Sequence, residues 1–169
     1  MKRATKIVLA CVMSLATAPA FSKEITKKPK NPVVHVCSEK DNSVNALACN
    51  IYKEARGESI YGQMAIGFVT INRAQHDSTF PASVRKVVYQ SKQFSWTNQK
   101  KGYNIHDRVA WDKSVEVAKV LMKLKGTGWV YEMFDITHGS LYYHTKGAKP
   151  YWAQHFQKTV TIGNHKLYK

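Results

Sequence analysis

The chain has 169 residues, 44% of them hydrophobic, with 26 lysines and arginines against 11 acids, a net charge of +15 and a mean hydropathy of −0.39. That is one domain's worth of chain, with enough apolar residues for a core and no repeat or low-complexity tract. The charge points to polyanionic partners, held by counterion release and long-range attraction.

The first stretch does not read as fold. A basic start, "MKRATK", precedes the short apolar run "IVLACVMSLA" and the small residues "TAPAFS". This is the pattern of a secretory signal peptide over residues 1–22, cut after Ser22, with a weak anchor that is later released as the other reading. Removing residues 1–22 takes away Lys2, Arg3 and Lys6 and no acid, which leaves 23 basic residues against 11 and a charge of +12. An exported chain meets anionic envelope polymers before it meets nucleic acid, so nucleic acid is not an expected partner. Cys37 and Cys49 are the two cysteines left, and an oxidising compartment makes them a disulfide candidate.

Residues 23–40 are polar, lysine-rich and punctuated by proline, and are expected to be a basic arm or linker, with the domain over 41–169. Val44, Leu47, Ala48, Ile51 and Ala55 repeat at helical spacing, with Asp41, Asn42 or Ser43 as cap and Gly57 as a left-handed end. Ser59 can cap a second helix, "IYGQMAIGFVTINRA", apolar on nearly its whole circumference and therefore buried. "FPASVRKVVYQ" predicts a third with Pro81 in its first turn, and "AWDKSVEVAKVLMKLKG" a fourth, closed by Gly126. The polar, aromatic segment 91–108 between them is long enough for a functional loop. From Trp129 onward "SLYYHT", "KTVTI" and "HKLY" read as strands, with Gly163-Asn164 as a two-residue hairpin turn. The fold class is α+β: helices first, then a small antiparallel sheet.

Two acids stand out in "IYKEARGES". Glu54 falls in the last turn of the first helix, at the edge of its apolar face, where the helix dipole and burial both raise a carboxyl pKa. That suits a general acid near neutral pH; a surface glutamate paired with Lys53 or Arg56 fits the spacing equally well. Glu58 precedes the second helix, where negative charge is favoured, and reads as a helix-start charge or a structural partner. Trp96, Trp111, Trp129, Trp152, Tyr103, Tyr142, Tyr143 and Tyr151 lie in the second half, several near Gln93, Ser95, Thr97, Asn98 and Gln99. Flat rings beside amides and hydroxyls suit sugars, although most tryptophans serve the core. In "QFSWT", an extended segment would send Phe94 to the core and put Trp96 at a groove rim. His138, His144, His155 and His165 are a rival, zinc-type set, but their spacings match no tight ligand motif.

"ALACNIYKEARGESIYGQMAIGFVTINRA" resembles the opening of the SleB/CwlJ-type cell-wall hydrolases: a small-residue helix, E-[SA]-R-G-E, then G-Q-x-A-[IV] and an N-R ending. "FPASVRKVVYQSKQFSWT", "AW", "GSLYYHT", "KPYW" and "IGNHKLY" follow in that family's order, from about Ala46 to Tyr168. The resemblance implies a compact lysozyme-like domain that cuts the peptidoglycan glycan strand, in some members as a lytic transglycosylase, without cofactor or metal. It makes Glu54 the catalytic acid/base and Glu58 a supporting residue. Gln93, Ser95, Trp96, Tyr142, Tyr143 and Trp152 are the expected substrate-binding residues, and the protein is expected to act as an exported monomer. The chain departs from the family by carrying a lysine-rich arm where a peptidoglycan-binding module would precede the domain, which favours a compact bacterial or phage lysin. Two other functional classes stay open: a zinc-dependent peptidoglycan amidase or peptidase, and a non-enzymatic cationic envelope-binding protein.

Overall fold

The computed structural model describes residues 32–76, 79–99 and 103–169. The expected signal peptide and residues 23–31 of the expected arm lie outside the described residues. The rest of that arm is part of the fold. His35–Val36 (β1) pairs antiparallel with Asn104–Ile105 (β2), and Cys37, which is buried, is joined to Cys49 by a disulfide spanning 6.0 Å between Cα atoms. The folded chain therefore begins before Asp41, because a buried cysteine and a strand pairing fix part of the segment that its polar, proline-punctuated composition made look like a linker.

Helix α1 covers Ser43–Ala55, and Asn42 is its cap, accepting the Asn45 N–H at 2.8 Å. Gly57 does not adopt the expected left-handed conformation; the helix ends through Arg56 in ordinary helical geometry. Helix α2, Ile60–Gln75, begins at the Ser59 cap and is buried from Ala65 to Ala74, as an all-round apolar sequence requires. Gly67 permits close packing: a Cβ there would overlap Leu121 and approach Ile51 Cδ1 at 3.3 Å. Helix α3 is shorter than expected, Val84–Val88, because Ser83 and not the Pro81 region starts it. Helix α4, Arg108–Leu124, starts two residues before the expected "AW", after the Asp107 cap. A short helix α5, Trp129–Phe134, stands where the sequence had turned to strands.

Helix α1 is the hub of the helical half and lies against α2, α3 and α4. Tyr142–Thr145 (β3), Lys158–Ile162 (β4) and His165–Tyr168 (β5) form an antiparallel sheet in the order β3-β5-β4. Gly163 at φ 56 and Asn164 make the expected two-residue turn, closing the Ile162–His165 pair. Leu167 of β5 packs on Ala65 and Val69 of α2, which seats the sheet on the buried helix. Among the described residues, no helix is long and apolar enough to cross a membrane.

Trp96 departs from the groove-rim expectation. Its segment is a turn of 3-10 helix, Ser95–Asn98, so the alternation of an extended strand does not apply and both Phe94 and Trp96 are buried. The indole N–H donates to Asn50 Oδ1 at 3.0 Å, Asn50 Nδ2 donates to Thr70 Oγ1, and Tyr89 and Tyr103 stand edge-on to the ring. A polar partner inside α1 is what lets the tryptophan enter the core.

Candidate active site

The last turn of α1 carries Glu54 to the edge of β3, where the Tyr143 hydroxyl donates to Glu54 Oε2 at 3.1 Å. Neither basic neighbour of the sequence pairs with it. Lys53 Nζ donates to the Asn104 carbonyl at 2.7 Å, and the Lys53 and Arg56 charges lie over the Tyr52 ring. Burial raises the Glu54 pKa above the ordinary carboxylate value, and the Tyr143 hydrogen bond and the Arg73 charge offset this only in part. Burial, then the Glu54 charge, holds the Tyr143 phenol well above its usual range, so it remains a proton donor to the carboxylate.

Glu58, four residues on, has a different setting. Its Oε2 accepts the backbone N–H of Asn164 at 3.2 Å, and its carbonyl accepts Gln63 Nε2 at 3.1 Å. A Cβ on Gly163 would collide with that carboxylate, so glycine serves both the turn and the approach of Glu58. The side chain ties the α1–α2 corner to the β4–β5 hairpin.

Tyr143 also forms part of the wall of a cleft of about 420 Å³, shared with Arg73, Gln93, Tyr142 and Trp152. Lys92 and Phe156 complete it. Four of the expected substrate-binding residues therefore converge: Gln93, Tyr142, Tyr143 and Trp152. Trp96 is in the core, and Ser95 is exposed but forms no part of the cleft wall. The aromatic wall is continuous, with Tyr142 4.3 Å from Phe156 and 5.9 Å from Trp152, ring centre to ring centre. Arg73, Lys92 and Phe156 did not stand out in the sequence, although the N-R ending of the second helix held Arg73.

That N-R pair builds the far side of the site. Asn72 donates to Asp135, Thr137 and the Ser140 carbonyl and accepts the Tyr131 hydroxyl at 2.6 Å, a buried network that fixes the chain entering β3. Arg73 Nε donates to the Leu141 carbonyl at 2.7 Å, and its guanidinium lies 5.4 and 5.2 Å from the Phe80 and Phe94 ring centres. His165, buried and edge-on to Tyr143 at 5.3 Å, has its pKa lowered by burial against the opposing pull of Glu58.

The structure does not gather the four histidines. Among the described residues, the group of His, Cys or acidic ligand atoms lying within 4.8 Å of one another is His35, Cys37 and Cys49, and both thiols are consumed by the disulfide. His144 instead bonds the Tyr168 hydroxyl at 2.9 Å, and His155 packs on Tyr151.

A family model described as Cell Wall Hydrolase matches residues 57–168, beginning three positions after Glu54. The Spore cortex-lytic enzyme of Halalkalibacterium halodurans is 38% identical over 55 residues, 32% of this chain and 16% of that protein, so the match spans about a sixth of the curated relative. Among solved structures, the chain resembles the catalytic domain of the Bacillus cereus SleB protein at 25% identity and a TM-score of 0.56, over 79% of this chain and 92% of that one. It also resembles the catalytic domain of the germination-specific lytic transglycosylase SleB from Bacillus anthracis, at 25% identity and a TM-score of 0.58, over 76% and 95% of the two chains.

Proposed function

This chain belongs to the cell wall hydrolase family, and we propose that it cleaves the β-1,4 bond between N-acetylmuramic acid and N-acetylglucosamine as a lytic transglycosylase. Glu54, protonated at rest, gives its proton to the leaving glycosidic oxygen as positive charge develops at the muramoyl C1. As carboxylate it then takes the proton of the muramoyl C6 hydroxyl, whose oxygen bonds to C1 and closes the 1,6-anhydro ring. No water enters the products.

The observation that carries this reading is the contrast between one carboxyl with a raised pKa beside the cleft and a cleft wall without an acid among the described residues. A glycosidase that uses water needs a second carboxylate, about 5–5.5 Å away for retention or 6.5–9.5 Å for inversion. Glu58, the nearest acid in sequence, is engaged with the Asn164 N–H. A substrate that brings its own nucleophile needs one acid. Tyr143 orients that acid, and the Tyr142, Trp152 and Phe156 rings offer flat faces to the sugars. The setting is an exported enzyme, delivered by the N-terminal signal sequence and concentrated on anionic sacculi by its basic charge.

Mass spectrometry of fragments released from purified sacculi tests the reaction. Anhydro-muropeptides are expected. Reducing-end sugars would replace the transglycosylase with a hydrolase, and free peptides would replace it with an amidase.

A further inference from the structure

The cleft beside Glu54 contains two cations that proton transfer does not use. Arg73 is only 6% exposed, yet it spends Nε on the Leu141 carbonyl, leaves Nη1 without a partner and joins none of the ion pairs among the described residues. A guanidinium cannot shed its charge by deprotonation, and burying it without a counterion is costly. Lys92 lines the same cavity from a backbone at φ 64, the left-handed region that residues with a side chain rarely adopt. Among the described residues, none that lines the cavity is acidic. When Glu54 carries its proton for the acid step, it offers Arg73 no negative charge either.

We propose that this cavity is an anion subsite that binds a carboxylate carried on the lactyl ether of N-acetylmuramic acid. The inference rests on the peptidoglycan reading and specifies it: the enzyme distinguishes muramic acid from glucosamine by charge, with Arg73 as the buried anchor and Lys92 as the exposed second contact. The sugar ring lies on Tyr142, Trp152 and Phe156 while the lactyl arm reaches the guanidinium. Two sources supply the same chemistry, the free lactyl acid of a denuded strand and the carboxylates of a stem peptide.

The test is calorimetric binding at low salt in the full chain carrying Glu54→Gln, so that cleavage does not intervene. The probes are a chitin tetrasaccharide, an alternating N-acetylglucosamine–N-acetylmuramic acid tetrasaccharide with free lactyl acids, and the same sugar bearing stem peptides. One or both carboxylate-bearing probes should bind about tenfold more tightly than chitin, the scale of one charge-assisted hydrogen bond. The denuded probe's rank identifies the lactyl acid or the stem as the source. Lys92→Gln should shrink the preference about threefold, as for a mostly exposed charge. Arg73→Gln should abolish most of it, but a substitution at so buried a site also threatens the fold, so Lys92→Gln alone decides. Lys123→Gln, on the outer face of α4, removes the same charge and should change nothing. Equal binding of all three probes, a preference that survives Lys92→Gln intact, or an equal loss in Lys123→Gln would overturn the subsite. Failure of every probe to bind would overturn the peptidoglycan reading itself.

Discussion

Glu54 and Glu58 are one helical turn apart in sequence, and the chain gives them different surroundings. The last turn of α1 is backed by the core and faces β3, so Glu54 meets a phenol donor, a buried guanidinium beyond it and little water. The corner between α1 and α2 faces the β4–β5 hairpin, so Glu58 meets a backbone N–H at an exposed turn. Each carboxylate's environment, rather than its residue type, sets the proposed acid apart from the glutamate that ties the hairpin.

The contrast breaks most sharply at Glu54. Glu54→Gln should leave the fold intact and lower lytic activity about 10²–10⁴-fold, the usual worth of a general acid, measured as turbidity loss of purified sacculi. Its stability effect has a definite sign. A folded-state pKa raised above the unfolded value contributes stability that is full at pH below the unfolded pKa and lost as pH rises through the folded one. Glutamine should remove that slope, so thermal midpoints of the two proteins should converge in acid and separate, in favour of the variant, as pH rises.

Tyr143→Phe should cost about tenfold in kcat, one hydrogen bond to a charged group. Because that bond favours the ionised carboxylate, its loss should raise the Glu54 pKa further and move the alkaline limb of the pH–rate profile upward. A limb that stays in place would detach Tyr143 from the acid.

Glu58 should respond in stability rather than in rate. Gly163→Ala forces a side chain into the left-handed region and against the Glu58 carboxylate, and should cost about 2 kcal/mol. Glu58→Ala should cost about 1 kcal/mol or less, since its bond to Asn164 is exposed, and leave activity within about tenfold of wild type. In the Glu58→Ala background Gly163→Ala should become milder, and simple additivity in thermal midpoints would show that the collision is not felt.

The helical half was legible because its signals are local: the α1 stripe from Val44 to Ala55, the Ser59 cap and the all-round apolar α2 all take their expected places. The hairpin was legible from Gly163-Asn164 for the same reason. What the sequence hid was set by partners far along the chain. The Cys37–Cys49 disulfide was anticipated from cysteine count, but the pairing of β1 with Asn104–Ile105 was not, because no local pattern reveals a partner so far along the chain. Trp96 looked like a rim residue because its neighbours are polar, but Asn50, 46 positions earlier, gives its N–H a buried acceptor. The cleft residues Gln93, Tyr142, Tyr143 and Trp152 were suggested by residue type and the family resemblance. Arg73 and Lys92 were not, since a buried cation and a left-handed lysine have no signal in composition or period.

The measurement closest to the central claim is a carbon-detected NMR titration of the Glu54 side-chain carboxyl in glutamate-labelled protein, assigned by its absence in Glu54→Gln. The midpoint should lie above the ordinary glutamate value of 4.5 and move higher still in Tyr143→Phe. A midpoint at or below that value would rule out Glu54 as the acid, because it would then lack the proton that the first step requires.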